Sequence, residues 1–411
     1  MIAEIQIWYD MNERMSMMRV KGNCADAEVF TDMLDEATRE QIQEMLNQSW
    51  AKDAHMRIMP DVHIGKGATI GTTYYVRDRV VPSVVGVDIG CGVLTANLGK
   101  RDFNLEALER FIVKTIPLGF KVHEIPLVDY EKTLKKLTCW NRIPDKLEFY
   151  ERGIGTLGGG NHFIEGGLSQ DGELVITVHT GSRNLGLQIA EAHQQIAYEH
   201  LKKKYPEVAA DGEKKKKEKK KRKRPPIHGI PYNLAYLEGQ EMEDYLHDMK
   251  IAQEYACLNR EMIMYQIATG YFGMSDSEFE TLPMIEAVHN YIEMETRTVR
   301  KGAISAKAGE MLVIPLNMRD GILICRGKGN EEWNQSAPHG CGRLYSRSQA
   351  KKMFSMEAFK ASMEGIYSTT MNKSTLDEIP AAYKPWQEIQ QWIEDTAEIV
   401  EHIRPLFNVK G

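Results

Sequence analysis

The sequence predicts an α+β fold: one large continuous domain around a central β core, its site assembled from segments far apart in the chain. Three observations predict it. Stretches with apolar residues at helical spacing are interspersed with β-branched runs broken by Gly and Pro. No Pro/Gly/Ser-rich linker divides the 411 residues. Chemistry-bearing motifs recur from Asp61 to Lys410, which favours one folding unit over several independent ones.

The elements follow in order. After a short strand-and-turn lead-in, Asp35–Leu46 has acids near its start and apolar residues at helical spacing, so a helix is expected. Met56–Gly67 reads as a strand entering a Gly-rich loop, and Val84–Gly92 as a buried strand running into a glycine turn. Leu105–Ile112 is helical in pattern. The run 153–165 packs five glycines around Asn161 and His162. Leu174–Val178 is a strand ending in His179, with a helix from Ile189 to about Lys202. A long helix is expected within 232–272, a strand through 284–291, and β-structure from Thr298 to Arg326. A helix begins near Ser346, and a last one spans about Trp386–Ile403, followed by a tail.

Composition narrows the class. No run of about 18 apolar residues predicts a membrane span. Met1–Gln6 lacks the basic and apolar regions of a secretory signal, so the cytoplasm is the expected location. Cys24, Cys91, Cys139, Cys257, Cys325 and Cys341 show no paired spacing and are expected to be reduced. The net charge of −6 does not announce a nucleic-acid binder, but ten of the eleven residues 214–224 are Lys or Arg. A block so charged cannot bury itself, and 203–226 is expected to be a mobile surface insertion. It is either a solvated loop or a phosphate-attracting arm.

The candidate site residues are set in glycine-rich sequence. Asp88 and Cys91 lie three residues apart in Gly-Val-Asp-Ile-Gly-Cys-Gly. Alone, each reads as a turn residue and a buried thiol; together they favour a metal or nucleophile role. His162, His179 and His289 each resemble structural histidines singly. With Asp88 and Cys91 they form a five-donor set suited to divalent transition metals. Five donors exceed one tetrahedral ion, and two ions sharing the thiolate use all five. His339, in Pro-His-Gly-Cys-Gly-Arg, is a loop histidine or a nucleophile, because neutral imidazole can attack phosphorus. There is no Walker A motif, since Pro60 stands where its first glycine belongs, and Met318 stands where a Lys-x-Asp-Gly lysine belongs. Any nucleotide must therefore be held another way, with glycine-loop amides and Arg/Lys clusters as the candidates.

These segments together resemble the RtcB family of GTP-dependent RNA ligases. The matching stretches are Met59–Gly67, Gly86–Gly92, Gly155–Glu165, His179–Arg183, His289–Tyr291, Arg300–Ala303, His339–Arg343 and Val409–Gly411, in family order across nearly the whole chain. The resemblance implies an RtcB-like catalytic domain over residues 1–411. It implies that Asp88, Cys91, His162, His179 and His289 hold two Mn²⁺ ions, with Cys91 bridging. It makes His339 the guanylylated nucleophile and Asp61 a residue of the active-site loop. Asn161 and Arg183 match phosphate-contacting positions; Glu165, Tyr383 and Lys410 match the guanine pocket; Gly340, Cys341 and Gly342 flank the nucleophile in the nucleotide site. The implied reaction joins an RNA 3′-phosphate or 2′,3′-cyclic phosphate to a 5′-hydroxyl, with GTP as co-substrate, in RNA repair or tRNA splicing. The alternative is a 3′-phosphate guanylyltransferase that caps ends without sealing them. One motif departs: the family's Gly-Ser-Met-Gly turn reads Leu316-Asn317-Met318-Arg319, leaving Asn317 to meet a base edge.

Overall fold

A mixed six-stranded sheet, an antiparallel seven-stranded sheet and the helices laid against them make up the computed structural model, which describes residues 17–206 and 224–411. The first sixteen residues and most of the basic insertion lie outside that range. The first sheet has the order β1 (Met18–Lys21), β2 (Asp26–Val29), β3 (Met56–His63), β4 (Ile70–Tyr75), β12 (Thr298–Lys301), β11 (Asn290–Glu293). The second runs β10 (Met284–Val288), β6 (Gly92–Asn97), β8 (Leu174–Thr180), β7 (Phe163–Leu168), β17 (Ala397–Lys410), β15 (Ile322–Gly327), β14 (Met311–Pro315). Two small ribbons pair β5 (Arg79–Val80) with β9 (Leu237–Glu238) and β13 (Ala303–Ser305) with β16 (Ser336–Pro338).

The second sheet is buried on both faces, as its alternation dictates. Leu94 and Ala96 of β6 face a core with Ile164, Ile176, Phe407 and the helix Leu105–Thr115. Val93, one residue away, joins Val175, Ile314 and Leu323 on the opposite face, under the helix Trp386–Thr396. The helix Gly239–Gly270 runs through the protein, and its buried positions join the cores of both sheets. It also carries Asp248, whose carboxylate accepts from Thr138 N and Oγ1, Cys139 N and His193 Nε2 at 2.8–3.0 Å. Asp248, Cys139 and His193 cluster closely enough to suggest a metal. The carboxylate is already saturated by donors, so the cluster is a staple for the 138–139 turn.

Three expectations change. Val84–Val87 is not a strand: Pro82 starts a one-turn helix, Pro82–Val85, where its missing N–H costs nothing. The stretch 284–291 breaks at His289, and its halves β10 and β11 join different sheets. The last helix ends at Thr396, and residues 397–410 form β17, which pairs with β15 on one side and β7 on the other. Glu398-Ile399-Val400-Glu401-His402-Ile403 fits either pattern. Hydrogen-bonding partners on both sides decide for the strand.

Candidate active site

Four adjacent strands bring four of the expected ligands to one end of the second sheet. Cys91 immediately precedes β6, His289 follows β10, His162 precedes β7, and His179 lies within β8. The register seals the grouping: Val288 pairs with Gly92, Val93 with His179, and Phe163 with His179. Cys91 Sγ lies 3.5 Å from His162 Nε2 and 3.4 Å from His179 Nε2. His179 Nε2 is 3.4 Å from His289 Nε2, and Asp88 Oδ2 is 3.1 Å from His162 Nε2. Two donor groups result, Asp88/Cys91/His162 and Cys91/His179/His289, with the sulfur common to both.

The cluster has the chemistry of a cation site. Burial and neighbouring histidines push His179 and His289 well below the usual imidazole range, which keeps them neutral and able to coordinate. His162 Nδ1 lies 3.0 Å from the Leu157 carbonyl, and donating there leaves its Nε2 lone pair facing the cluster. Burial and the nearby Asp88 carboxylate push the Cys91 thiol well up, so a cation must displace its proton. Asp88 Oδ1 is buried without a hydrogen-bond partner, an acceptor left for something other than the protein. The residues therefore fit divalent metal.

Interlocking contacts hold these loops. A Cβ on Gly181 would sit 2.2 Å from Asp88 Oδ1, so only glycine allows the carboxylate its place. Arg260 NH1 donates to the carbonyls of Gly90 and Thr180 at 2.8 Å, while its Nε and NH2 pair with Glu286. Its neighbour Asn259 accepts from Gly155 N and Thr156 N and donates to the Gly181 carbonyl. One turn of the long helix thus ties together three ligand-bearing segments.

His339 stands beside this cluster, its ring centroid 4.9 Å from that of His289. Its Nδ1 is 2.6 Å from Asp61 Oδ2, a contact of ion-pair length though off the line of a well-aligned hydrogen bond. Asp61 is fully buried and neither of its oxygens has a hydrogen-bond donor in line. A Cβ on Gly342 would lie 2.5 Å from the Asp61 carbonyl oxygen, which fixes the approach of the His339 loop to β3. His63 Nδ1 bonds the same carbonyl at 2.9 Å, and burial lowers its pKa to about 4.

From His339 a cavity of about 660 Å³ opens. Gly340, Cys341, Gly342 and Asn161 line it, together with Glu165, Asn317, Tyr383 and Lys410. Burial raises Glu165 to about 8 against the pull of Asn408 and Lys410. Asn408 Nδ2 donates to Glu165 Oε2 at 2.8 Å. Glu378, the hub of this cavity, is not among the residues expected from the sequence. Its carboxylate meets Lys410 Nζ at 2.7 Å, the Tyr383 hydroxyl at 2.8 Å and Arg347 NH1 at 2.9 Å. Although burial opposes ionisation, these cations hold Glu378 at about 2. Nothing local in Leu376-Asp377-Glu378-Ile379-Pro380 announces it; only the return of Lys410 and Arg347 to the same place does.

Other expected positions divide. Arg183 lies beside the donor cluster rather than in the cavity. Its Nε donates to Thr156 Oγ1 and its NH2 to the Gly119 carbonyl, from a backbone at φ +55°. Asn317 lines the cavity, but its Oδ1 accepts from Arg319 N and Asp320 N and its Nδ2 donates to Asp320, so the amide mainly caps its own turn. Lys301, in the Arg300–Ala303 stretch that resembles the family, donates to the carbonyls of Lys66 and Ser83. Burial lowers it to about 7, which suits a strut more than an anion clamp.

The chain is similar to known proteins over most of its length. A family model described as tRNA-splicing ligase RtcB matches residues 41–148 and 141–411. The chain is 32% identical to the RNA-splicing ligase RtcB of Escherichia coli (strain K12), with 87% of this chain and 90% of that protein covered. It is 27% identical to the tRNA-splicing ligase RtcB of Aeropyrum pernix (86% and 87% covered) and 26% identical to that of Thermococcus kodakarensis (96% and 95% covered).

Proposed function

This chain belongs to the RtcB family of RNA-splicing ligases, and from that premise we propose that it joins RNA 3′-phosphate or 2′,3′-cyclic phosphate ends to 5′-hydroxyl ends through a covalent GMP–histidine intermediate on His339. One observation carries the mechanism: His339 stands between the five-donor cluster and the cavity, with Nδ1 turned to Asp61. That orientation leaves Nε2 free to attack.

In the proposed sequence GTP occupies the cavity. Ionised Glu165 accepts from the guanine donors, while Lys410 and Tyr383 complete the base pocket. His339 Nε2 attacks the α-phosphorus, the bond to pyrophosphate breaks, and Asp61 steadies the imidazolium that forms. An oxygen of the RNA 3′-phosphate then takes GMP from His339, restoring the neutral ring. The 5′-hydroxyl attacks this activated phosphorus, a phosphodiester forms, and GMP leaves; a cyclic end is first opened by water to the 3′-phosphate. Asn161 and Arg183 orient phosphates throughout. Two Mn²⁺ ions, one held by Asp88, Cys91 and His162 and the other by Cys91, His179 and His289, would offset the charge gathered at phosphorus.

On this reading the whole chain acts as one catalytic unit, with 203–226 as an RNA-attracting arm. RNA repair or tRNA splicing in the cytoplasm is its expected setting, in keeping with six free thiols. The test is incubation with α-labelled GTP and Mn²⁺. We expect label on the native chain and none on His339→Ala. A variant that keeps the label would sink the nucleophile assignment. Adding 3′-phosphate and 5′-hydroxyl strands should give joined product, whereas capped 3′ ends alone would contradict the ligation step.

A further inference from the structure

Phe120 is fully exposed, more so than any other large apolar residue among those described. It is not at the tip of a loose loop. Gly119, at φ +64°, donates its N–H to the Gly158 carbonyl at 2.8 Å, and Leu118 forms a bridge with Gly158. Leu157 N donates to the Pro117 carbonyl, and His123 is tied to both Arg152 and Gly155. The backbone of the turn is thus stitched to the glycine loop that leads into His162, and it presents an aromatic ring to open water. Such a ring, carried on a fixed backbone and facing open water, is what a flat ligand face needs.

The surroundings name the ligand. Arg183 NH2 donates to the Gly119 carbonyl at 2.8 Å, and its guanidinium packs so closely on Gly158 that a Cβ there would lie 1.7 Å from NH1. The same Cβ would lie 2.9 Å from His162 Nδ1. A guanidinium therefore lies between the exposed ring and the metal centre, and exposed Lys121 adjoins the ring in sequence. Cation beside aromatic is the pairing that holds a nucleotide, phosphate on one and base on the other.

We propose that Phe120 is a stacking platform for a nucleobase of the RNA strand whose end reacts at the metal centre. This rests on the ligase reading above and adds a residue that positions the substrate. Stacking tolerates any base, so the platform grips RNA ends without selecting sequence.

The test uses 3′-phosphate and 5′-hydroxyl oligonucleotides carrying 2-aminopurine at the terminal nucleotide, whose fluorescence falls on stacking. Binding to the native chain should quench one of the two probes, which identifies the strand. Phe120→Ala should abolish that quench and raise the KM of joining for that strand on the order of 5- to 150-fold, the span of one base–aromatic stack. Phe120→Trp should restore both. His339 labelling by GTP in the same preparations reports the folded fraction. An abasic terminus should remove the Phe120→Ala penalty. Equal quench with and without the ring, or a penalty that persists with both abasic strands, overturns the platform. Phe120-dependent quench in a chain that takes no GTP label supports the platform and refutes the ligase reading instead.

Discussion

Cys91 Sγ is common to both donor groups, so its loss should not resemble loss of a histidine. Cys91→Ala is expected to lower occupancy of both cations in a Mn²⁺ titration followed by paramagnetic resonance, whereas His289→Ala should chiefly weaken one. Equal, single-site losses for both variants would contradict the bridge. Glu165 supports a second prediction. Its carboxyl is raised to about 8, so the folded protein holds it neutral between about pH 4.5 and 8. Guanine N–H donors need the ionised form. Guanosine affinity should therefore rise as pH approaches 8, with proton release on binding seen by calorimetry in buffers of different ionisation enthalpy. Glu165→Gln should lose the trend; a flat profile in the native chain would refute it. At this scale the sequence was most legible, because Asp88, Cys91, His162 and His179 sit beside glycines that mark unusual backbone, although His289 does not. Glu378 was illegible for the opposite reason. Its neighbours are ordinary, and its importance lies in Lys410, Arg347, Arg343 and Tyr383 arriving from elsewhere.

At the level of elements, the helix Gly239–Gly270 acts on the site through Asn259 and Arg260. Arg260→Met would leave the Gly90 and Thr180 carbonyls without this donor and Glu286 without its cationic partner. We expect a loss of about 1–3 kcal/mol in denaturant unfolding, from the buried carbonyls left without a donor, and roughly ten- to hundredfold weaker metal binding, as for other residues that orient ligands. Lys250→Ala, on the exposed side of the same helix, should change neither. The pattern of residues revealed this helix and most of the strands. It failed at β17 because alternating and helical patterns coincide over 398–403, and only the neighbouring strands β7 and β15 distinguish them. It failed at Pro82–Val85 because a short apolar run carries no period.

Across the whole molecule, the uneven spread of charge is the feature the sequence displays most plainly. The chain is net negative, yet ten basic residues fall within 214–224. Deleting 213–224 should weaken RNA binding and flatten the dependence of log K on log salt by about 0.7 for each single-strand phosphate that the arm neutralises. An unchanged slope would make the run a bystander. Composition exposes such a run but not what it touches.

The placement of the ligands at the ends of neighbouring strands has a kinetic consequence. Successive neighbours in the cluster are residues 71, 88 and 110 positions apart in the chain. No local nucleus can hold them, and strands β10, β6, β8 and β7 must pair before the donors meet. Closing such long loops makes folding slow, and the donor set forms on the native side of the barrier. Bound cations should therefore leave the refolding rate nearly unchanged and act as a brake on unfolding, lengthening the lifetime of the native state and its resistance to proteases that attack opened chains.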